Sequence, residues 1–247
     1  AVAKIRVFEN GEITEKAAAI GGTSKSMSNA TDLLSLLMMQ NGSTIVNDSY
    51  TRADIGREGE RGLVQYTKFA DQQNPLYTWR DSFGSSNEAF ANEEVAMIFA
   101  YPSDIKEIQD KNPFLDFEIS KAPQVNESSP VNFANYWGLA VSSAAESPNA
   151  AWDFVIFATT DSASAEDYAS QVGHAPALRF LISKYINNPD VGIFAEQALT
   201  ARSWPQPNDS EVDKIFNDMI SNVITGEMTP GAAVSSARAK LTELIRR

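Results

Sequence analysis

The chain of 247 residues has no cysteine and a single histidine, His174. Without cysteine there is no disulfide, no thiolate nucleophile and no cysteine-based zinc site within the chain. That absence fits a reducing or an oxidising compartment equally, so it leaves location open. With one histidine, a histidine-rich metal centre is excluded, and any Ser-His-Asp triad must use His174. That residue lies in Val172-Gly173-His174-Ala175-Pro176, with no acidic or serine neighbour, and reads as structural. Long apolar runs are lacking too. The best candidate, residues 33–39, is interrupted by Ser35, far short of the roughly 18 apolar residues a spanning helix needs. Basic residues are scarce: 20 Lys and Arg face 32 Asp and Glu, for a net charge of −12. Such a balance argues against nucleic acid or an anionic membrane surface as the main partner. The chain opens Ala1-Val2-Ala3-Lys4, without methionine and without a basic region, apolar core and cleavage site. The expectation is a removed targeting segment or a start inside a longer protein.

What remains is ordinary globular composition, 43% hydrophobic and 21% charged. Asn10-Gly11 between alternating apolar residues signals a hairpin. Residues 28–32 open a helix that is apolar nearly all round (Leu33, Leu34, Leu36, Leu37, Met38, Met39) and stops at Gly42. A second helix is expected over 56–73, then a loop over 74–88 containing Tyr77, Trp79 and Phe83. Residues 95–100 form a continuous apolar run, as a strand covered on both faces requires. A helix follows from Asp104, and short strands are expected at 117–119 and 137–141, flanking a polar linker at 124–130. Ser147-Pro148 caps a helix whose body, with Trp152, Phe154, Val155, Ile156 and Phe157, should be largely buried. Helices over 210–225 and from Pro230 onward carry clean 3.6-residue stripes. Strands interspersed with helices indicate the α/β class.

Four stretches, in order, resemble the extracellular solute-binding proteins of ABC importers, of the maltose-binding type. Residues 32–42 are similar to that family's helix ending in a Gln-Asn-Gly turn. Residues 89–97, Ala-Phe-Ala-Asn-Glu-Glu-Val-Ala-Met, resemble its entry into a strand, with Asn92 or Glu93 where glycine is usual. Tyr136-Trp137-Gly138-Leu139-Ala140-Val141 and the Ser147-Pro148 helix resemble the strand returning through the hinge and the helix after it. Residues 225–233 are similar to the family's final helix pair. The resemblance implies the C-terminal two-thirds of such a protein, with most of the first lobe missing. The implied fold is a periplasmic-binding-protein-like lobe, a mixed sheet flanked by helices, over 1–127 and 180–247. A partial second lobe would comprise 128–179 with the hinge.

The family holds solute in a cleft between lobes and closes around it. Sugars need aromatic faces for C–H surfaces and polar groups for hydroxyls. By resemblance the ligand-binding candidates are Trp79, Tyr101, Tyr136, Trp137 and Trp204, with Asn135 as a polar contact. Alternation along a strand should turn one of Tyr136 and Trp137 to the cleft and the other to the core. Trp152 reads as core, Asn29 and Asp32 as cap residues, and Arg179 as a solvated charge. The implied partners are a small solute, expected to be a sugar, and ABC-transporter permease subunits. Membrane contact would come only through the transporter or a missing lipid anchor, at an extracytoplasmic location. No cofactor and no metal is implied. Two other readings stay open: a bare lobe that only docks on a permease or receptor, exposing apolar surface and self-associating, and a carbohydrate-active enzyme using two carboxylates, for which Glu93 and Asp104 can be nominated.

Overall fold

The structure, a computed structural model, describes residues 2–9 and 12–247. In chain order the helices and strands are α1 (Val2–Ile5), β1 (Val7–Glu9), β2 (Glu12–Glu15), α2 (Ala30–Gln40), α3 (Arg57–Thr67), α4 (Ser86–Ala91), α5 (Pro102–Lys111), β3 (Asn132–Phe133), α6 (Pro148–Thr160), α7 (Ser162–Val172), α8 (Ile182–Tyr185), α9 (Gly192–Ala198), β4 (Ala201–Arg202), α10 (Asp209–Ile224) and α11 (Pro230–Ile245). They divide into two compact units. One comprises residues 1–116, 124–133 and 202–247, the other residues 117–123 and 134–201. The sequence-based division at 127/128 and 179/180 therefore differs from these boundaries at both ends.

In the larger unit the apolar stripes decide the packing. Helix α2 buries Leu33, Leu34, Leu36, Leu37 and Met38, as its all-round apolar character requires. It packs against α3 and α10, while α11 covers α3 and α10. The approach of α2 and α3 is close because Gly62 faces the α2 backbone; a Cβ there would lie 2.7 Å from the Met38 Cα. Helix α10 buries Val212, Ile215, Phe216, Met219 and Ile220, each such side chain stabilising by about 1.5–3 kcal/mol relative to exposure. Its start is fixed by Asn208, whose side chain accepts from the Glu211 N–H. Thr229 does the same for α11, accepting from Ala232.

Strands are few. β1 and β2 pair antiparallel, Phe8 opposite Ile13 and Glu9 opposite Glu12; the expected Asn10-Gly11 turn lies outside the described residues. Residues 16–19 run parallel to 95–97. A bridge joins Lys16 and Val95, Ala96 N–H donates to Lys16 O (3.0 Å), and Ala19 N–H donates to Met97 O (2.9 Å). On its other side this segment is held by the buried Thr78, whose Oγ1 accepts from the N–H groups of Ala17 and Ala18. The run 95–100 is not the doubly covered strand its composition predicts. Val95 is buried but Met97 is 38% exposed, because this pairing covers it along one side only.

The smaller unit departs most from the sequence reading. Residues 117–119 and 137–141 form no strand. Helix α6 forms where Ser147-Pro148 places it, yet none of its residues is buried. Trp152, Phe154, Ile156 and Phe157 are all exposed, correcting the assignment of Trp152 and its neighbours to a core. Helical periodicity reports a face that can be buried; the protein that would bury it is not supplied within this unit. The unit's own core is small, built around Ala169, Leu181, Ile182, Val191 and Ala195.

Candidate functional site

Parallel strands deliver the segments that follow them to one edge, and ligand sites in α/β units gather at such edges. In the larger unit the edge beyond the 16–19/95–97 pair receives the loop 20–29 and the stretch from Phe99 to Tyr101. Two hydrogen bonds tie these together. Asn29 Nδ2 donates to Phe99 O (2.6 Å), and the Tyr101 hydroxyl donates to Asp32 Oδ2 (2.8 Å). Asn29, expected as a helix cap, makes no side-chain cap bond to α2 and braces the neighbouring segment instead. Tyr101 N–H donates to Asp104 Oδ2 (2.7 Å), which fixes the start of α5.

The loop itself is clamped from below. Asp81 accepts from Thr23 N–H, Thr23 Oγ1 and Ser26 Oγ, each at 2.7 Å. Ser26 Oγ in turn accepts from the Trp79 indole (3.1 Å). The Tyr66 hydroxyl donates to Gly22 O (2.6 Å). Burial, reinforced by the Asp81 charge, pushes the Tyr66 phenol far above its ordinary pKa, so it remains a donor. Gly21 has φ +101, and a Cβ on Gly22 would lie 2.4 Å from Ser26 Oγ; only glycine fits this turn. From α10, Asn217 makes a two-way bond to Ser24, its Oδ1 accepting from the N–H and its Nδ2 donating to Oγ, both at 2.7 Å. Thr31 Oγ1 donates to Asp213 Oδ1 at the same distance.

The six residues named from sequence fall into two groups. Tyr101 is half-buried on the edge just described. Trp79 is fully buried and Trp204 is 8% exposed. Trp79 meets Phe83 edge-on at 5.6 Å between ring centres; Trp204 stacks on Phe216 at the same separation, its indole reaching Ser35 (3.4 Å). Both indoles are enclosed by protein, which removes them from the faces open to a ligand. A polar loop position gave no hint of this, because Trp79 is buried by contacts distant in sequence. In the other unit, Asn135 is exposed, Tyr136 is 72% exposed and Trp137 is 96% exposed. The expected in/out alternation of Tyr136 and Trp137 does not occur, since no strand forms to impose it. Asp81 and Asn217 escaped sequence reading altogether. The Gly21-Gly22 pair was the one local signal, marking a turn.

Burial raises the Asp104 carboxyl above the usual range, but that carboxylate is committed to the Tyr101 N–H. Glu93 is exposed at a helix end. Among the described residues, no group of three histidine, aspartate or glutamate side chains could hold a metal ion, and no helix is long and apolar enough to cross a membrane. The arrangement offers hydroxyls, amides, one tyrosine and fixed loop geometry, which suits recognition of a polyhydroxylated molecule.

Comparison with known proteins gives a consistent picture. The profile of the family described as bacterial extracellular solute-binding protein matches residues 9–180, more than half of the chain. No curated protein sequence matches. Among solved structures, the chain is similar to an ABC-transporter solute-binding protein from Thermotoga lettingae bound with α-D-tagatose (TM-score 0.70, 19% identity, covering 99% of this chain and 62% of that one). It is also similar to the maltose/maltodextrin-binding domain of Bdellovibrio bacteriovorus bound to maltotriose (0.66, 17%, 100% and 64%). A third similar structure is the cyclic α-maltosyl-1,6-maltose binding protein from Arthrobacter globiformis (0.69, 17%, 94% and 60%). At these identities the likeness is one of fold, the periplasmic-binding-protein-like α/β architecture. The chain spans less than two-thirds of the length of each of these relatives.

Proposed function

The chain belongs to the bacterial extracellular solute-binding proteins, and on that premise we propose that it captures a carbohydrate solute for uptake by an ABC importer. The family consists of binding proteins rather than enzymes and is extracellular, which supports non-catalytic capture outside the cytoplasm. The observation that carries the reading is the polar edge of the larger unit, where Tyr101, Asp32 and Asn29 are fixed beside the clamped loop 21–26. Its fixed hydroxyl and amide groups lower the ordering cost of binding a polyol. Asn135, Tyr136 and Trp137 of the other unit are proposed as further solute contacts, since their side chains are exposed and stacking on sugar C–H faces uses such rings. The partners on this reading are a sugar and the permease subunits of an importer.

The test is isothermal titration calorimetry of the chain against tagatose, mannobiose, maltotriose and maltotetraose, with Trp137→Ala and Tyr101→Phe alongside. Trp137 is almost wholly exposed, so its loss leaves the melting temperature unchanged while weakening a bound sugar about tenfold, the size of one good stacking contact. Absence of heat with every sugar sinks the reading. Binding that is indifferent to both substitutions relocates the site.

A further inference from the structure

The loop 21–26 is held far more firmly than an exposed turn requires. Asp81 takes three donors from it, Tyr66 holds Gly22 O, and Asn217 grips Ser24 at both its backbone and its side chain. Yet the tip these contacts immobilise, Ser24-Lys25, is exposed. Fixing an exposed tip before a ligand arrives removes the conformational cost of ordering it on binding.

The tip carries a hydroxyl and an ammonium. Ser24 Oγ already accepts from Asn217, which leaves its hydroxyl proton to donate. Among the described residues the Lys25 ammonium makes no ion pair, and an ammonium only donates. Asp81, Asp213 and Asp32 each accept from a hydroxyl within the protein, those of Thr23, Thr31 and Tyr101. The tip therefore presents donors and one positive charge, in a chain whose net charge is −12.

We propose that Ser24 and Lys25 form a specificity-determining subsite for an anionic oxygen group, carboxylate or phosphate, carried by the sugar solute, and that Asp81 and Asn217 are the residues that position it. This rests on the reading of the chain as a carbohydrate-capture protein. A charge-assisted bond from a fixed ammonium favours the anionic sugar over its neutral counterpart. Because Lys25 lies at the surface, that preference weakens as salt rises.

Titrations with digalacturonate, glucose 6-phosphate and maltotriose test it at low and high salt. The expected result is at least one anionic sugar binding about tenfold more tightly than maltotriose, with Lys25→Met abolishing the difference. Which anionic probe wins separates a carboxylate ligand from a phosphate ligand. Asn217→Ala, a substitution at a half-buried side chain outside the buried stripe of α10, tests positioning without removing a core side chain. It should speed hydrogen exchange at the Ser24 amide and lower the anionic preference while Lys25 is still present. A fold-only role would leave that preference unchanged. Maltotriose binding without any anionic preference, or a preference that survives Lys25→Met, overturns the subsite and leaves sugar capture standing. Binding of none of the three overturns both.

Discussion

Glu93 is one of two non-glycine residues with positive φ among those described, at +63°, immediately after the helix end at Asn92. In that left-handed conformation a Cβ crowds the following carbonyl, at a cost of about 1–2 kcal/mol. Its backbone N–H bonds to Phe90 O (3.0 Å), the turn that closes the helix, and glycine preserves that bond. Glu93→Gly should therefore remove the strain, offset by about 0.5–1 kcal/mol of extra backbone entropy in the unfolded chain. The net gain is about 0.5–1 kcal/mol, or a rise in Tm of about 1–4 °C for a chain of this length. Two controls separate the causes. Glu93→Gln removes the charge near Glu94 while keeping the Cβ, and should leave Tm nearly unmoved. Asn92→Gly tests the neighbouring position, where φ is −85° and glycine relieves nothing; it should lower Tm. Thermal unfolding followed by circular dichroism reads all three. The reasoning is refuted if Glu93→Gly fails to raise Tm, or if Asn92→Gly raises it as much.

Trp79→Ala should destabilise by about 3–5 kcal/mol, the cost of emptying a large buried aromatic site, and urea unfolding measures it; a loss under about 1 kcal/mol would mean the indole is not core. The exposed apolar face of α6 should bind the dye ANS and promote self-association. Phe154→Glu with Phe157→Glu should reduce dye fluorescence and light scattering without lowering Tm, and unchanged scattering would place the sticky surface elsewhere. Asp104 carries a pH signature. Burial raises its folded pKa above the unfolded value, so its contribution to stability is present below the unfolded pKa and is lost as pH rises through the folded one. Asp104→Asn keeps an acceptor for the Tyr101 N–H and should flatten that decline, whereas an unchanged pH slope in paired melts of the two proteins would contradict it.

The elements defined by near neighbours were legible from the residues alone. The stripes of α2, α10 and α11, the Pro230 start of α11, the Pro148 start of α6 and the stop at Gly42 all depend on contacts within a turn or two. The α/β class and the family resemblance followed from the same local patterns in order. Tertiary structure alone decided burial and pairing, because both depend on groups distant in sequence. Trp79 is core because Ser26, 53 residues away, meets its indole, although its loop is polar. Phe154 and Phe157 are exposed although their helix is apolar, and Tyr136 and Trp137 do not alternate because no strand forms there. Of the two residues standing where glycine is usual, the fold gave the strained conformation to Glu93 and left Asn92 unstrained. The Asp81 clamp joins side chains 55 to 58 residues apart. No local pattern encodes such a bond, since its energy exists only once the chain has brought the partners together.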